Sequence, residues 1–153
     1  MSTDSNRTDS NRTDSRTITS SGLPVRRVEV NTETKPFWDA TAQGILVLPK
    51  CDNCSAVIWF PRAFCPACSG TSVSWIESSG RGTVYSFSIT RKGAGVWSDV
   101  GPYVIAYVEL DEGPRVLTNI VGCPVDQVSI GMSVRVVFDQ TAEGPAVYRF
   151  APA

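Results

Sequence analysis

Four cysteines offer the most specific chemistry in this sequence. Cys51 and Cys54 form one C-x2-C pair and Cys65 and Cys68 form a second, with ten residues between the pairs. Two tight turns that each supply two thiolates can surround one metal ion as a tetrahedron, and soft sulfur ligands favour zinc, with iron as the second choice. Because four sulfurs leave no position for water or substrate, we predict a structural metal site rather than a catalytic one.

Disulfides and a redox C-x-x-C centre are the alternatives for these cysteines. Paired C-x2-C turns in a chain without secretory features are more typical of metal binding than of disulfides. A redox centre normally lies in a βαβ pattern, which the flanking residues do not show. The fifth cysteine, Cys123, is interpreted as a small buried residue, because the chain has no histidine that could activate its thiol.

Composition argues against several classes of protein. The chain has 153 residues, a formal net charge of -1 and no histidine. The missing histidine argues against an autonomous hydrolase or an enzyme with a histidine acid or base, and we predict no catalytic residue in this chain. No apolar run approaches the roughly 20 residues that cross a bilayer, so we expect no membrane partner. The cysteine usage suits a cytoplasmic protein.

One short helix is predicted before the first cysteine pair, over residues 34–43. Pro36 suits the first turn of such a helix, and Gly44 suits the position just past its end. Phe37 and Trp38 give the helix an apolar stripe. We predict that these two side chains dock on a partner, because tryptophan is enriched at interface hot spots.

Five strands are predicted after Gly80. Residues 82–90 are rich in aromatic and β-branched side chains, residues 103–110 alternate strictly, and residues 115–121 follow a tight Asp-Glu-Gly-Pro turn. Two further strands are predicted at residues 134–139 and 146–150. Five antiparallel strands with a short insertion between the third and fourth suit a partly open Greek-key barrel of the OB type, with a small antiparallel sandwich as the alternative.

The sequence therefore predicts a mainly β fold in four segments. Its first residues repeat the unit Thr-Asp-Ser-Asn-Arg without an aliphatic or aromatic side chain, and such a stretch cannot offset the entropy cost of ordering. The predicted segments are a disordered tail at residues 1–30, an N-terminal helical segment at 31–48, a rubredoxin-like zinc ribbon at 49–76 and a five-stranded OB-fold domain at 77–153.

A ribbon followed by an OB barrel suggests a single-stranded nucleic-acid binder as an alternative function. Residues 71–153 hold six Lys and Arg against eight Asp and Glu, so the barrel is net acidic. Affinity for a phosphate backbone comes mainly from neutralisation by basic side chains. We therefore expect no nucleic-acid partner.

A series of short motifs follows in a fixed order along residues 30–153. In chain order they are Pro36-Phe37-Trp38, Gly44-Ile45-Leu46, Pro49-Lys50-Cys51-Asp52-Asn53-Cys54, Phe60-Pro61-Arg62, Cys65-Pro66-Ala67-Cys68, Gly80-Arg81-Gly82-Thr83-Val84-Tyr85-Ser86, Val108-Glu109-Leu110-Asp111-Glu112-Gly113-Pro114, Ile130-Gly131-Met132 and Arg149-Phe150-Ala151-Pro152. Together they resemble the family that combines a rubredoxin-like zinc ribbon with an acyl-CoA-associated OB-fold.

The resemblance implies a function in acyl-CoA metabolism. Members of that family are small, usually non-catalytic subunits that accompany thiolases or thiolase-like aldolases, in some cases with a hotdog-fold hydratase. The resemblance implies that the ribbon and the N-terminal helix dock on the catalytic subunit, and that the barrel lies near the acyl-CoA entrance. Acyl-CoA would then be handled through the complex.

The loop between the first two barrel strands, residues 91–102, is where we predict contact with substrate. Arg91 and Lys92 are adjacent cations that could meet CoA phosphates, and Trp97 could cover an acyl chain or an adenine ring. An ordinary solvent-exposed loop is the alternative.

Overall fold

In the second half of the chain, where β-branched and aromatic residues alternate with polar ones, the regular structure is strand apart from two short 3-10 turns. The structure is a computed structural model that describes residues 18–19, 21–25, 28–141 and 144–153. Its elements, in chain order, are β1 (Ile18–Thr19), α1 (Lys35–Thr41), β2 (Val47–Cys51), β3 (Val73–Glu77), β4 (Arg81–Thr90), β5 (Tyr103–Leu110), β6 (Arg115–Ile120), β7 (Ser133–Asp139) and β8 (Val147–Pro152), with short 3-10 turns at Gly95–Trp97 and Val125–Gln127.

Strands β4 to β8 form a closed barrel. The strand order is β7-β4-β5-β6-β8, and β8 pairs again with β7, which closes the sheet on itself. The β6–β8 pairing is parallel, at Ile120 and Phe150, and the other barrel pairings are antiparallel. This is the Greek-key connectivity of an OB-fold. The predicted OB barrel is confirmed, the barrel is closed rather than partly open, and the sandwich alternative is wrong.

The barrel core follows from the alternation of side chains along each strand. In β5 every second residue is buried, starting with Val104, and the residues between them face outward. The core contains the buried side chains Phe37, Leu46, Leu48, Val84, Val104, Ala106, Val108, Leu110, Val116, Ile120, Val128, Val134, Val136, Phe138, Ala146 and Phe150.

The helix α1 is anchored to this core through Phe37. That side chain is fully buried, and its ring meets the rings of Trp38, Trp59 and Tyr148 edge to face. The prediction that Phe37 docks on a partner is therefore wrong, because the ring is already covered by its own chain. Trp38 stays partly exposed.

The cysteine-bearing segment is built on a two-stranded sheet. Strands β2 and β3 pair antiparallel from Val47 opposite Glu77 to Cys51 opposite Val73. Residues 57–60, which look strand-like in sequence, contribute one isolated bridge between Val57 and Lys50. The region between the two cysteine pairs is thus mostly loop, with a cysteine turn at each of its two ends.

Part of the predicted disordered tail lies on the barrel. Strand β1 runs parallel to β7, and the backbone N–H of Ser21 donates to Asp139 Oδ1 at 3.0 Å. Arg149 Nη2 donates to the carbonyl oxygen of Pro24 at 3.2 Å. Residues 21–25 therefore pack on the barrel instead of forming part of a disordered tail, and the repeated units at residues 3–16 lie outside the described residues.

Among the described residues, no helix has the length and apolarity that crossing a bilayer requires.

Candidate functional site

The four predicted ligands converge on one point. The Sγ atoms of Cys51, Cys54, Cys65 and Cys68 all lie within 4.8 Å of one another, with Cys51 and Cys68 at 3.6 Å and Cys54 and Cys65 at 3.7 Å. A tetrahedron with Zn–S bonds of about 2.3 Å has sulfur–sulfur edges of about 3.8 Å, so the residues fit a metal ion. A disulfide needs about 2.05 Å between sulfurs, and all five cysteines are free thiols, so the disulfide alternative is wrong.

The two cysteine turns have the same backbone geometry. In the first, the N–H of Ser55 donates to the carbonyl oxygen of Cys51 at 2.9 Å, and in the second, the N–H of Ser69 donates to that of Cys65 at 2.8 Å. Both serines have φ of 61°, in the left-handed region that few non-glycine residues adopt. Each serine therefore reverses the chain directly after the second thiol of its pair. Sequence reasoning missed this role, although both pairs are followed by serine.

Each turn supplies one buried and one exposed sulfur. Cys51 and Cys65 are fully buried and pack on Ile58, whereas Cys54 and Cys68 are exposed. Asp52 ties the first turn to β3, because its carboxylate accepts from Ser72 Oγ at 2.7 Å and from Ser74 Oγ at 2.6 Å. These bonds lower the pKa of Asp52, first through Ser74 and then through Ser72.

Acid–base properties also indicate that the cluster needs a cation. The pKa of the Cys51 thiol is lowered to about 7, chiefly by the backbone N–H of Cys54. The backbone N–H of Ala56 lowers the pKa of Cys54, but the neighbouring thiols of Cys68 and Cys65, together with burial, raise it to about 12. Four thiols this close cannot all ionise without a compensating positive charge. A divalent cation would supply that charge, so the charge balance of the cluster, like its geometry, suits a metal-binding site.

The fifth cysteine lies apart from the metal site and differs in its chemistry from the four clustered cysteines. Cys123 is partly buried, and burial raises the pKa of its thiol. A raised pKa keeps this thiol protonated and unreactive at neutral pH, as expected for a packing residue.

A shallow cleft of about 390 Å³ lies where the N-terminal segment, the helix, the ribbon and the barrel meet. Its aromatic walls are Trp38, Phe60 and Trp97. The remaining lining residues are Pro24, Val25, Val28, Glu29, Asn31, Thr34, Asn119, Val147 and Arg149. The structure thus brings together two residues that the sequence assigned to different roles, Trp38 to docking and Trp97 to substrate.

The loop of residues 91–102 is held by contacts of Trp97. The Trp97 ring lies 4.6 Å from the Tyr103 ring, between centroids. Gly93 allows the loop to fold back, because a Cβ there would lie 2.4 Å from the Trp97 carbonyl oxygen. Arg91 and Lys92 are exposed outside the cleft lining, and Arg91 Nη2 lies 3.7 Å from Asp126 Oδ1.

Arg149 lies at the cleft with a full set of partners. Its Nε donates to Asp139 Oδ2 at 2.5 Å, its Nη1 donates to Asn119 Oδ1, and its Nη2 donates to the Pro24 carbonyl oxygen. Sequence reasoning missed this network, because Asp139 and Arg149 come from different strands and no local motif links them.

Comparison with known proteins identifies both halves of the molecule. Residues 38–74 match the family described as "ChsH2, rubredoxin-like zinc ribbon domain", and residues 75–139 match "ChsH2, C-terminal OB-fold domain". A "DUF35 domain-containing scaffold protein" of Methanothermobacter thermautotrophicus is 36% identical over 114 residues, which cover 73% of this chain and 86% of that protein.

Two further relatives carry more specific descriptions. The "3-oxo-4,17-pregnadiene-20-carboxyl-CoA hydratase alpha subunit" of Mycobacterium tuberculosis is 42% identical over 118 residues, covering 73% of this chain and 35% of that subunit. A chain of the solved "Ltp2-ChsH2(DUF35) aldolase" superimposes with a TM-score of 0.74 at 31% identity, covering 82% of this chain and 98% of that one. Extensive similarity to whole relatives, over both the ribbon and the barrel, shows that this chain belongs to the family of ChsH2-type DUF35 domain-containing scaffold proteins.

Proposed function

We propose that this chain is a non-catalytic accessory subunit of an acyl-CoA thiolase or thiolase-like aldolase complex, with zinc in its four-cysteine site. The closed shell of four sulfurs is the observation that carries the proposal. A tetrahedral ion with four protein ligands has no open position for water or substrate. The metal then stabilises the ribbon, and a partner performs the reaction.

The choice of zinc follows from the donor set. Four thiolates in two C-x2-C turns suit zinc, and the same set can hold iron. Bound zinc would be a structural ion that contributes to folding of the ribbon, because Cys51, Cys65 and Ile58 form a core too small to hold this segment alone.

The proposed partner class follows from the relatives. One similar chain belongs to a solved aldolase, and this chain matches about a third of the length of a carboxyl-CoA hydratase alpha subunit. These descriptions support a thiolase-like or aldolase catalytic subunit, or a hotdog-fold hydratase, as the companion of this chain. We place the complex in the cytoplasm, where thiolate metal sites are stable.

The loop of residues 91–102 is proposed to face the acyl-CoA. Arg91 and Lys92 are exposed at its start and present positive charge that phosphate groups would favour. Trp97 forms a wall of the neighbouring cleft, where its ring could cover an apolar group.

A role in binding single-stranded nucleic acid is not supported. Tyr85 is an exposed aromatic ring of the barrel, and the Arg115 guanidinium lies over it. That guanidinium is already paired with the Glu109 carboxylate. A net-acidic barrel lacks the basic groove that a phosphate backbone requires.

Purification of a tagged chain from its own cells tests the proposal. We expect a thiolase-fold or hydratase subunit to co-purify in a fixed ratio, identified by mass spectrometry, and the acyl-CoA activity to belong to the complex. The separated chain should turn over no acyl-CoA. A purified chain that cleaves or joins acyl-CoA unaided, or that is recovered without a catalytic companion, contradicts the proposal.

A further inference from the structure

The outer side of the barrel carries a cluster of exposed apolar side chains. Tyr85 on β4, Ile105 and Tyr107 on β5, and Leu117 on β6 are 48%, 38%, 46% and 50% exposed, respectively. We call these four residues the outer barrel face. Outward positions of a strand that faces water are usually polar, so an apolar cluster marks a surface that something else covers.

Strand register makes the four side chains neighbours. Tyr107 lies directly opposite Leu117 on the adjacent strand, and Ile105 is two residues away on the same side of β5. Tyr85 is the extra residue at a bulge, where pairing of β4 with β5 shifts between Val84 and Ser86. Directly opposite side chains in a sheet contact one another, so the outer barrel face is one continuous patch.

The charges that border Tyr85 are paired with each other. The Arg115 guanidinium lies 3.6 Å from the centre of the Tyr85 ring, and its Nε donates to Glu109 Oε2 at 2.7 Å. The ion pair therefore holds the Tyr85 ring in place while its own charges cancel. The β4 residues that pair with β5 beside the patch include Ser86 and Ser88, which are uncharged. Such a surface suits a neutral apolar protein surface rather than a polyanion.

Size and composition argue against two other occupants. The four half-exposed side chains present on the order of 400 Å², whereas a stable interface buries about 800 Å² on each partner. A second copy that met the patch only through its own identical patch would bury too little for a stable dimer. Residues 2–17 of this chain contain no aliphatic or aromatic side chain that could cover it.

We propose that the outer barrel face is the docking surface for an apolar patch of the catalytic subunit. This inference rests on the proposed function and adds the part of the chain that makes the contact. The partner covers the four side chains and extends beyond them, because the interface must be larger than this patch. The barrel, in addition to the ribbon and helix, then holds the complex together.

The experiment titrates variants against the catalytic subunit that co-purifies with the tagged chain, produced separately. Tyr107→Ser with Leu117→Ser removes the centre of the outer barrel face. Val30→Ser is the matched control, because Val30 is 47% exposed and lies outside this face. Melting temperature and metal content of each variant show that it is folded. We expect at least a tenfold rise in Kd for the double variant and less than a twofold change for the control.

Each other outcome overturns the inference in a distinguishable way. A folded double variant that binds the subunit as tightly as the unmodified chain removes the outer barrel face from the interface and leaves the proposed function intact. A dimer of the chain that only the double variant disrupts would make a second copy the occupant. Failure of the unmodified chain to bind any catalytic subunit would overturn both the proposed function and this inference.

Discussion

Arg149 Nε donates to Asp139 Oδ2 at 2.5 Å, and both side chains are only 4% exposed. This ion pair joins β8 to β7 at the point where the N-terminal segment crosses the barrel. Asp139 also accepts from the backbone N–H of Ser21, and Arg149 also donates to the Pro24 carbonyl oxygen. One buried pair therefore fixes the barrel closure and the position of the segment that lines the cleft.

Removing one partner of this pair should strongly destabilise the protein. We expect Arg149→Met to lower the free energy of unfolding by about 3–5 kcal/mol, because the buried Asp139 carboxylate loses the Arg149 guanidinium. Chemical denaturation measures the change. Lys35→Met is the control, since the Lys35–Asp39 pair is solvent-exposed and such a pair contributes less than about 1 kcal/mol. Equal effects of the two substitutions would show that the buried pair has no special role.

Metal binding should depend on the four clustered cysteines and not on the fifth. We expect one metal ion per chain, its loss in Cys51→Ser and Cys65→Ser, and its retention in Cys123→Ser. Elemental mass spectrometry measures metal per chain and distinguishes zinc from iron. The first two variants should also lose the ordered ribbon, because the ion contributes to its folding. Full metal content in either of them would contradict the four-sulfur site.

The positive charges of Arg91 and Lys92 should affect acyl-CoA use by the assembled complex. We expect replacement of both by Ala to raise KM for acyl-CoA about three- to tenfold with little change in kcat, because charge-assisted contacts to phosphate are lost in the ground state. Arg81→Ala is the control, since Arg81 begins β4 and lies at the end of that strand remote from the loop that Arg91 and Lys92 begin. Unchanged kinetic constants in the double variant would favour an ordinary surface loop.

Tyr148 should make stability fall at high pH. Burial raises the pKa of Tyr148 to about 12, above the value of about 10 for an exposed tyrosine. Below pH 10 the phenol is protonated in both states and has no effect. Between pH 10 and 12 the unfolded state loses its proton first, so the free energy of unfolding falls by up to about 3 kcal/mol.

Denaturation at several alkaline pH values measures this effect. Tyr148→Phe should flatten the decline between pH 10 and 12, although it also removes the hydrogen bond from the Tyr148 hydroxyl to the Leu117 carbonyl oxygen. Tyr107→Phe should leave the decline unchanged, because Tyr107 is exposed. The same decline in all three proteins would show that burial of Tyr148 does not control it.

Local pattern predicted the five barrel strands and the clustering of the four cysteines, but not strands β1, β2 and β3. The strict alternation predicted a strand over residues 103–110, and β5 has these limits. The pattern is informative because successive side chains of a strand point to opposite faces of the sheet. The two C-x2-C pairs likewise lie close together in the structure. Each turn is local in sequence, and the tetrahedral geometry of a bound metal specifies how two such turns combine. The helix ends earlier than predicted, at Thr41 rather than residue 43.

Contacts between distant residues could not be predicted from the sequence. Phe37 looks like a surface anchor on a short helix, and its burial depends on how the helix packs on Trp59 and Tyr148. Residues 21–25 look like the end of a polar tail, and their position depends on Asp139, which is more than a hundred residues away. Neither relationship has a local pattern that would indicate it.

The central claim is that the metal builds the architecture while a companion performs the reaction. X-ray absorption at the metal edge tests it most directly, on the co-purified complex with and without acyl-CoA. We predict four sulfur neighbours at about 2.3 Å in both samples. An oxygen or nitrogen ligand on the ion, or a coordination shell that changes when acyl-CoA is added, would contradict the claim.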